Sequence, residues 1–202
     1  QPDVIFHAAA YKHVPVMENF PEEAIRVNVL GTYNLATAAK KFNIPNFVLI
    51  STDKAVNPTS IMGASKRIAE YIVTGLGTES NSRFVAVRFG NVLDSQGNVI
   101  EIFREQIKKG GPVEITHPDM QRYFMVTSEA CLLVLQAGAL SGNGEIFCLD
   151  MGTPVKVRDL AAEMIRLAGF QPEIDIPIVY TAPRPGERLS EDLRKKLTYP
   201  PG

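Results

Sequence analysis

The feature that most constrains this chain is a regular alternation of short apolar runs with long helical segments. "DVIFHAA" (3–9) is a short, continuous apolar run, as expected of a strand buried on both faces, "NFVLIST" (46–52) reads as a second buried strand, and "RFVAVRFGNV" (83–92) as a third, rich in valine and phenylalanine. Between them, 21–42 and 59–77 carry helical spacing. Pro21 and two glutamates open the first helix and Lys40 and Lys41 close it, matching the helix dipole. Strand, helix, strand, helix, strand implies parallel βαβ crossovers and an open α/β sheet. Beyond residue 92 the pattern loosens. Helices are expected at 99–109, 128–140 and 155–170, strands at 113–116, 144–150 and 176–180, and mixed loop and helix over 184–197.

Composition narrows the class. The 202 residues are 45% hydrophobic and 21% charged with net charge −1, an ordinary globular balance that offers nothing to nucleic acid or an anionic membrane. No run of about 18 apolar residues occurs, the length a membrane-spanning helix needs. The opening residues do not read as a signal peptide. Cys131 and Cys148 sit in apolar contexts and read as reduced core residues. His7, His13 and His117 lack the spacing that would complete a zinc site with them.

Open parallel sheets bind ligands at the carboxyl ends of their strands. Three such ends converge here: Ala8 to Lys12, Thr52-Asp53-Lys54, and Phe89 to Val92. A carboxylate beside an amine at a strand end can serve acid–base chemistry, although a surface ion pair is the plainer reading. Met62 and Lys66, at i and i+4, share one helix face. Taken alone that spacing says little, because methionine on a helix is usually core. A dinucleotide-binding sheet normally opens with a glycine-rich turn. No such turn occurs in residues 1–40. Either the fold never bound a dinucleotide, or the first half of such a domain is missing.

The order Thr52, Met62, Lys66 resembles the Ser/Thr, Tyr, Lys triad of extended short-chain dehydrogenases/reductases, with methionine in place of tyrosine. "HAAAYKHVPVME", "VNVLGTYNL", "STDKAVNPTSIMGASKRIAE", "RFGNVLDSQGNVIEIFREQI", "GGPVEITHPDMQRYFM", "GEIFCLDMG" and "RPGER" together are similar to the nucleotide-sugar 4,6-dehydratases of polysaccharide biosynthesis, which serve capsule, O-antigen and protein-glycosylation pathways. The methionine variant resembles the large, membrane-anchored members.

The resemblance implies an α/β fold: a partial Rossmann-like parallel sheet with a smaller mixed C-terminal lobe. Residues 1–92 would be the C-terminal part of an NAD-binding domain, and 93–202 mainly a UDP-sugar-binding lobe. It implies NAD-dependent 4,6-dehydration of a UDP-N-acetylglucosamine-like sugar. Lys54 would be the C5 base, Asp53 the acid for the C6 oxygen, Thr52 the partner of the C4 hydroxyl, and Lys66 the ligand of the nicotinamide ribose. Met62 has no proton to exchange, so the C4 proton would leave through Asp53, a water or a relay to Lys66. Ala8, Ala9, Tyr11 and Phe89 would line the NAD side, and Asn28 would fix the active-site helix. Lys12 and His13 would face substrate, Asn91 its pyrophosphate, Arg122 and Arg184 phosphate or ribose, and Glu187 the ribose hydroxyls. The bland reading of each arginine is a solvated surface charge. Homo-oligomers through the helices at 21–42 and 59–77, and a cytoplasmic domain whose complete protein is anchored to the inner membrane, are expected by the same analogy. Without a phosphate-binding turn the chain alone is expected to be catalytically silent and to bind NAD weakly or not at all. It would retain UDP binding through Asn91, Arg122 and Arg184. The competing readings are a UDP-sugar 4-epimerase and a non-catalytic nucleotide-sugar binding module.

Overall fold

The computed structural model describes residues 1–194 apart from 79, 94, 96 and 141. In chain order the elements are β1 (Val4–His7), α1 (Val14–Asn19), α2 (Pro21–Ala24), a π-helical stretch (Ile25–Leu30), α3 (Gly31–Lys41) and β2 (Asn46–Thr52). A 3-10 turn (Asp53–Ala55), α4 (Ile61–Thr78), β3 (Arg83–Phe89), β4 (Asn91–Val92), α5 (Val99–Lys108) and β5 (Val113–Ile115) follow. Then come β6 (Gln121–Arg122), β7 (Phe124–Met125), α6 (Thr127–Ala139), β8 (Glu145–Cys148), β9 (Val155–Lys156), α7 (Val157–Leu167) and β10 (Ile178–Tyr180). Among the described residues no helix is long and apolar enough to cross a membrane.

The main sheet has four parallel strands in the order β1-β2-β3-β8. The three apolar runs of the first half are therefore parallel neighbours, as their helical crossovers require. Side chains of successive strand residues point to opposite faces, and here both faces are covered. Phe47, Leu49, Phe84 and Ala86 pack against Ala36 and Ala39 of α3 and Ala69 and Val73 of α4. Val48, Val85 and Val87 pack on the other face against Ala130, Val134 and Ala137 of α6. Phe47 and Phe84 stack with ring centroids 5.3 Å apart, and each buried aromatic contributes about 1.5–3 kcal/mol. A second core joins α5, β5, α7 and β10 around Phe103, Ile107, Val113, Ile165 and Ile178.

Several expectations change. The run at 3–9 forms a four-residue strand, and of it only His7 is buried while Val4 and Phe6 are exposed; among the described residues β1 pairs with β2 alone and so stands at the sheet edge. The run at 83–92 breaks at Gly90, after which β4 pairs with β7 instead of the main sheet. A side-chain β-carbon at Gly90 would lie 2.9 Å from Tyr123 Cβ, so only glycine lets the chain turn there. The helix expected at 155–170 starts two residues late because Val155 and Lys156 pair antiparallel with Gln121 and Arg122. The helix at 21–42 is continuous but widens to a π turn at 25–30, a feature common near functional sites. No helix forms from 184 to 194, where the chain runs as a strap of turns; 195–197 lie outside the described residues. Neither cysteine is in the core. Cys131 is exposed on the outer face of α6, and Cys148 is half-buried near the end of β8; both are free thiols.

Candidate functional site

A cavity of about 500 Å³ opens at the carboxyl ends of β1, β2 and β3 and is closed from above by α5, β5 and the strap 184–194. Three loops follow those strand ends. The loop after β1 is held by Asn28, buried inside the π turn: its Oδ1 accepts from Tyr11 N at 2.7 Å, and its Nδ2 donates to Tyr11 O at 3.0 Å and to Ser65 Oγ at 2.9 Å. One side chain thus ties the Tyr11 loop to α4.

At the end of β2, Thr52 Oγ1 donates to Asp53 Oδ1 at 2.9 Å. Lys54 Nζ donates to the same oxygen at 3.0 Å and to Asn91 Oδ1 at 3.3 Å. The pair is not the surface ion pair of the plainer reading, because Asp53 is fully buried. Its Oδ2 has no hydrogen-bond partner among the described residues and would meet a β-carbon at Gly90 at 3.2 Å. Lys66 is buried with Nζ 2.6 Å from Ile50 O, and burial lowers its pKa from 10.5 to about 8, against the opposing pull of Glu70. Burial, seconded by Lys66, also lowers His7, which shares a 2.9 Å hydrogen bond with Thr32 Oγ1.

The structure brings most of the expected residues to this cavity. Thr52, Lys54, Met62 and Lys66 line it, as do Ala8, Tyr11 and Phe89. Lys12, His13, Asn91, Arg122, Arg184 and Glu187 line it too. Ala9, Asn28 and Asp53 are not on its surface. Asn28 acts through Tyr11 and Ser65, and Asp53 stands behind Thr52 and Lys54. Met62 is both wall and core, packed with Met17 and Ala24. Arg122 is nearly buried, donating to Gln121 O and Leu189 O. Arg184 is largely exposed, and its backbone N–H already engages Glu187 Oε2 at 3.0 Å.

Two groups escaped the sequence reading. Glu70 is fully buried beneath the strand ends, accepting from Ser51 Oγ (2.6 Å), Arg88 Nε and Nη2 (2.6 Å each) and Arg67 Nη1 (3.0 Å). Its spacing looked like any acidic helix position. Glu191 lines the cavity from the strap, whose irregular backbone gives no periodic signal.

Two predictions arise here. A β-carbon on Gly63 would come within 2.3 Å of Lys54 O, so α4 and the lysine loop fit together only through glycine. Gly63→Ala is expected to cost about 1–3 kcal/mol in urea denaturation. Unchanged stability would mean that this contact is loose. The second concerns Lys66. Between pH 8 and 10.5 the unfolded chain holds a proton that folded Lys66 has shed, so stability rises with pH across that window. The rise should reach about 3 kcal/mol and vanish in Lys66→Met. Parallel stability curves for the two proteins would contradict it.

The family model described as "Polysaccharide biosynthesis protein" matches residues 1–198. The "Probable polysaccharide biosynthesis protein EpsC" of Bacillus subtilis (strain 168) is 57% identical over 196 residues, covering 97% of this chain and 33% of EpsC. The "Capsular polysaccharide biosynthesis protein CapD" of Staphylococcus aureus is 57% identical over 197 residues, with the same shares. A "UDP-glucose 4-epimerase" of Rickettsia canadensis is 41% identical over 148 residues, 72% of this chain and 43% of the epimerase. Among solved structures, Pen from Bacillus thuringiensis superposes with TM-score 0.89 at 35% identity, over 96% of this chain and 61% of Pen. The dTDP-glucose 4,6-dehydratase DesIV of Streptomyces venezuelae, solved with NAD, has TM-score 0.84 at 21% identity over 95% of this chain and 64% of DesIV, a likeness of fold. The chain spans about a third of the length of EpsC and CapD. It belongs to the polysaccharide biosynthesis protein family, whose relatives and structural neighbours include nucleotide-sugar epimerases and dehydratases.

Proposed function

We propose that this chain carries the catalytic and sugar-binding part of a nucleotide-sugar 4,6-dehydratase. The complete enzyme would act on a UDP-N-acetylhexosamine in bacterial surface-polysaccharide or glycan biosynthesis. The observation that carries the reading is the hydrogen-bonded cluster Thr52–Asp53–Lys54 at the cavity end of β2, with Asn91 at its edge.

Dehydration across C5 and C6 of a hexose needs a base at C5, an acid at the C6 oxygen and a partner for the C4 oxygen. NAD, when bound, supplies the acceptor and donor of a hydride. The residues present fit its nicotinamide end: the Lys66 ammonium and the Tyr11 and Thr52 hydroxyls are suitable donors for a ribose, and Ala8 and Phe89 offer flat apolar wall. Thr52 holds the C4 oxygen. Its 2.9 Å bond to Asp53 gives the C4 hydroxyl proton a path to a carboxylate. Met62 takes no part in that transfer, since a thioether has no exchangeable proton; it keeps water from the wall. Lys54 first gives its ammonium proton to solvent and then, as the amine, removes the C5 proton. Its swing toward C5 uncovers Asp53, which passes the proton received through Thr52 to the C6 oxygen as water departs. Lys54 then returns its proton to C5 while C6 gains the hydride. The C4 hydroxyl proton leaves with water and the C5 proton is restored, so the cluster ends as it began once Lys54 takes its proton back from solvent. Arg122 and Arg184 would neutralise the diphosphate and Asn91 would donate to it, with Lys12 and His13 facing substrate and Glu187 toward the ribose.

Exposed Ile25, Leu30 and Tyr33 on one long helix and Ile68 and Tyr71 on the other support association of copies through that face. The domain would lie in the cytoplasm, with any membrane anchor elsewhere in the longer protein.

Mass spectrometry of UDP-N-acetylglucosamine incubated with NAD and the complete enzyme tests the reading. Loss of one water is expected. The relative described as a UDP-glucose 4-epimerase favours a second reading, inversion at C4, which would leave the mass unchanged. The Asp53–Lys54 pair weighs against it, because inversion at C4 needs neither a base at C5 nor an acid at C6.

A further inference from the structure

Glu191 has no part in the scheme above. It lies on the strap, lines the cavity, and its side chain is 3% exposed. Its Oε2 has no hydrogen-bond partner among the described residues. Arg188 Nη1 stands 3.7 Å away, an ion-pair contact beyond hydrogen-bonding range. That guanidinium is already engaged, donating to Val56 O at 3.1 Å and to Asp192 Oδ2 at 3.2 Å. The other arginine near it, Arg122, gives its Nη1 to two backbone carbonyls.

The strap does not need the Glu191 carboxyl to hold its place. Gln121 N donates to Leu189 O at 2.8 Å, Arg122 Nη1 donates to the same carbonyl, and Cys148 Sγ reaches Leu193 O at 3.4 Å. Leaving a buried carboxyl oxygen unpaired costs about 1–3 kcal/mol. A buried carboxyl oxygen offset only by the 3.7 Å contact with Arg188, at the wall of a cavity, points to a ligand. Burial raises the Glu191 pKa above the usual carboxylate range; Lys54 opposes this, Asp53 adds to it, and Arg122 and Arg188 oppose it. Those fields also place Glu191 among the Lys54–Asp53 pair and Arg122. A carboxyl there can hydrogen-bond an uncharged hydroxyl or amide of a sugar, whereas its negative charge, when ionised, repels a phosphate.

We propose that Glu191 hydrogen-bonds an uncharged polar group of the hexose, a hydroxyl or the N-acetyl amide, and so selects for the sugar half of the ligand. This rests on the reading of the cavity as a nucleotide-sugar site.

The test is calorimetric titration of the protein with UDP, UDP-glucose and UDP-N-acetylglucosamine. Two variants of similar volume are compared: Glu191→Met, which cannot donate, and Glu191→Gln, which can. Glu191→Met should weaken UDP-N-acetylglucosamine about tenfold, with UDP changed by less than about twofold, and Glu191→Gln should stay within about threefold of the unaltered protein. Equal loss for UDP-glucose marks a hydroxyl as the partner; loss confined to the N-acetylated sugar marks the N-acetyl amide. The readout is the ratio of UDP-sugar to UDP affinity, which misfolding would not move selectively. An unchanged ratio in Glu191→Met overturns the proposal. If the unaltered protein binds UDP but gains nothing from the hexose, the inference alone falls. If it binds neither UDP nor UDP-sugar, the nucleotide-sugar reading falls and takes this one with it.

Discussion

Lys54→Ala in the complete enzyme should abolish dehydration while leaving UDP-sugar binding nearly intact. A base at C5 acts in the transition state and adds little to ground-state binding, so kcat should fall with KM almost unmoved. General-base losses run to about 10²–10⁴-fold, and here the loss should lie at the upper end because Asp53 also loses its 3.0 Å partner. Met62 and Lys66, the other residues of that wall, do not replace it: one has no proton, and the other is bound to Ile50 O. Steady-state kinetics with calorimetry on the same variant separates the two parameters. Turnover comparable to the unaltered enzyme would remove Lys54 from the role.

Glu70→Leu should cost about 3–5 kcal/mol in urea denaturation, because it strands the buried Arg88 guanidinium as an unpaired charge. The same carboxylate also accepts from Ser51 and Arg67, so the ends of β2 and β3 would lose their common anchor. Replacing both partners, Glu70→Leu with Arg88→Met, should recover most of the loss, since an apolar pair of similar volume is often neutral. A single-variant cost below about 1 kcal/mol would show that water reaches Arg88 after all.

Much of the architecture was legible because β2 and β3 each carry four apolar residues in a row, 47–50 and 84–87, as a strand covered on both faces does. β1 read the same way but lies at the edge, since hydrophobicity reports what a strand can bury and not which neighbour is present. The break at Gly90 and the strand Val155–Lys156 depend on partners at 121–125, and long-range pairing leaves no local trace. At the site, Thr52, Lys54, Met62 and Lys66 were legible because a strand end and one helix face put them together. The burial of Asp53 was not, because it depends on Gly90 and Tyr123 closing behind it. Glu70 and Glu191 were invisible for a related reason: nothing next to either in sequence reveals that Arg88 lies under one and a cavity in front of the other.

The most direct test of the central claim is NMR analysis of the product formed from UDP-N-acetylglucosamine, NAD and the complete enzyme in deuterated water. If Lys54 exchanges the C5 proton while hydride passes from C4 to C6, the product is a 4-keto sugar. It carries solvent deuterium at C5 and a C6 methyl group whose added hydrogen did not come from solvent. A C4 epimer with protium at C5 and an intact C6 hydroxyl would contradict the account.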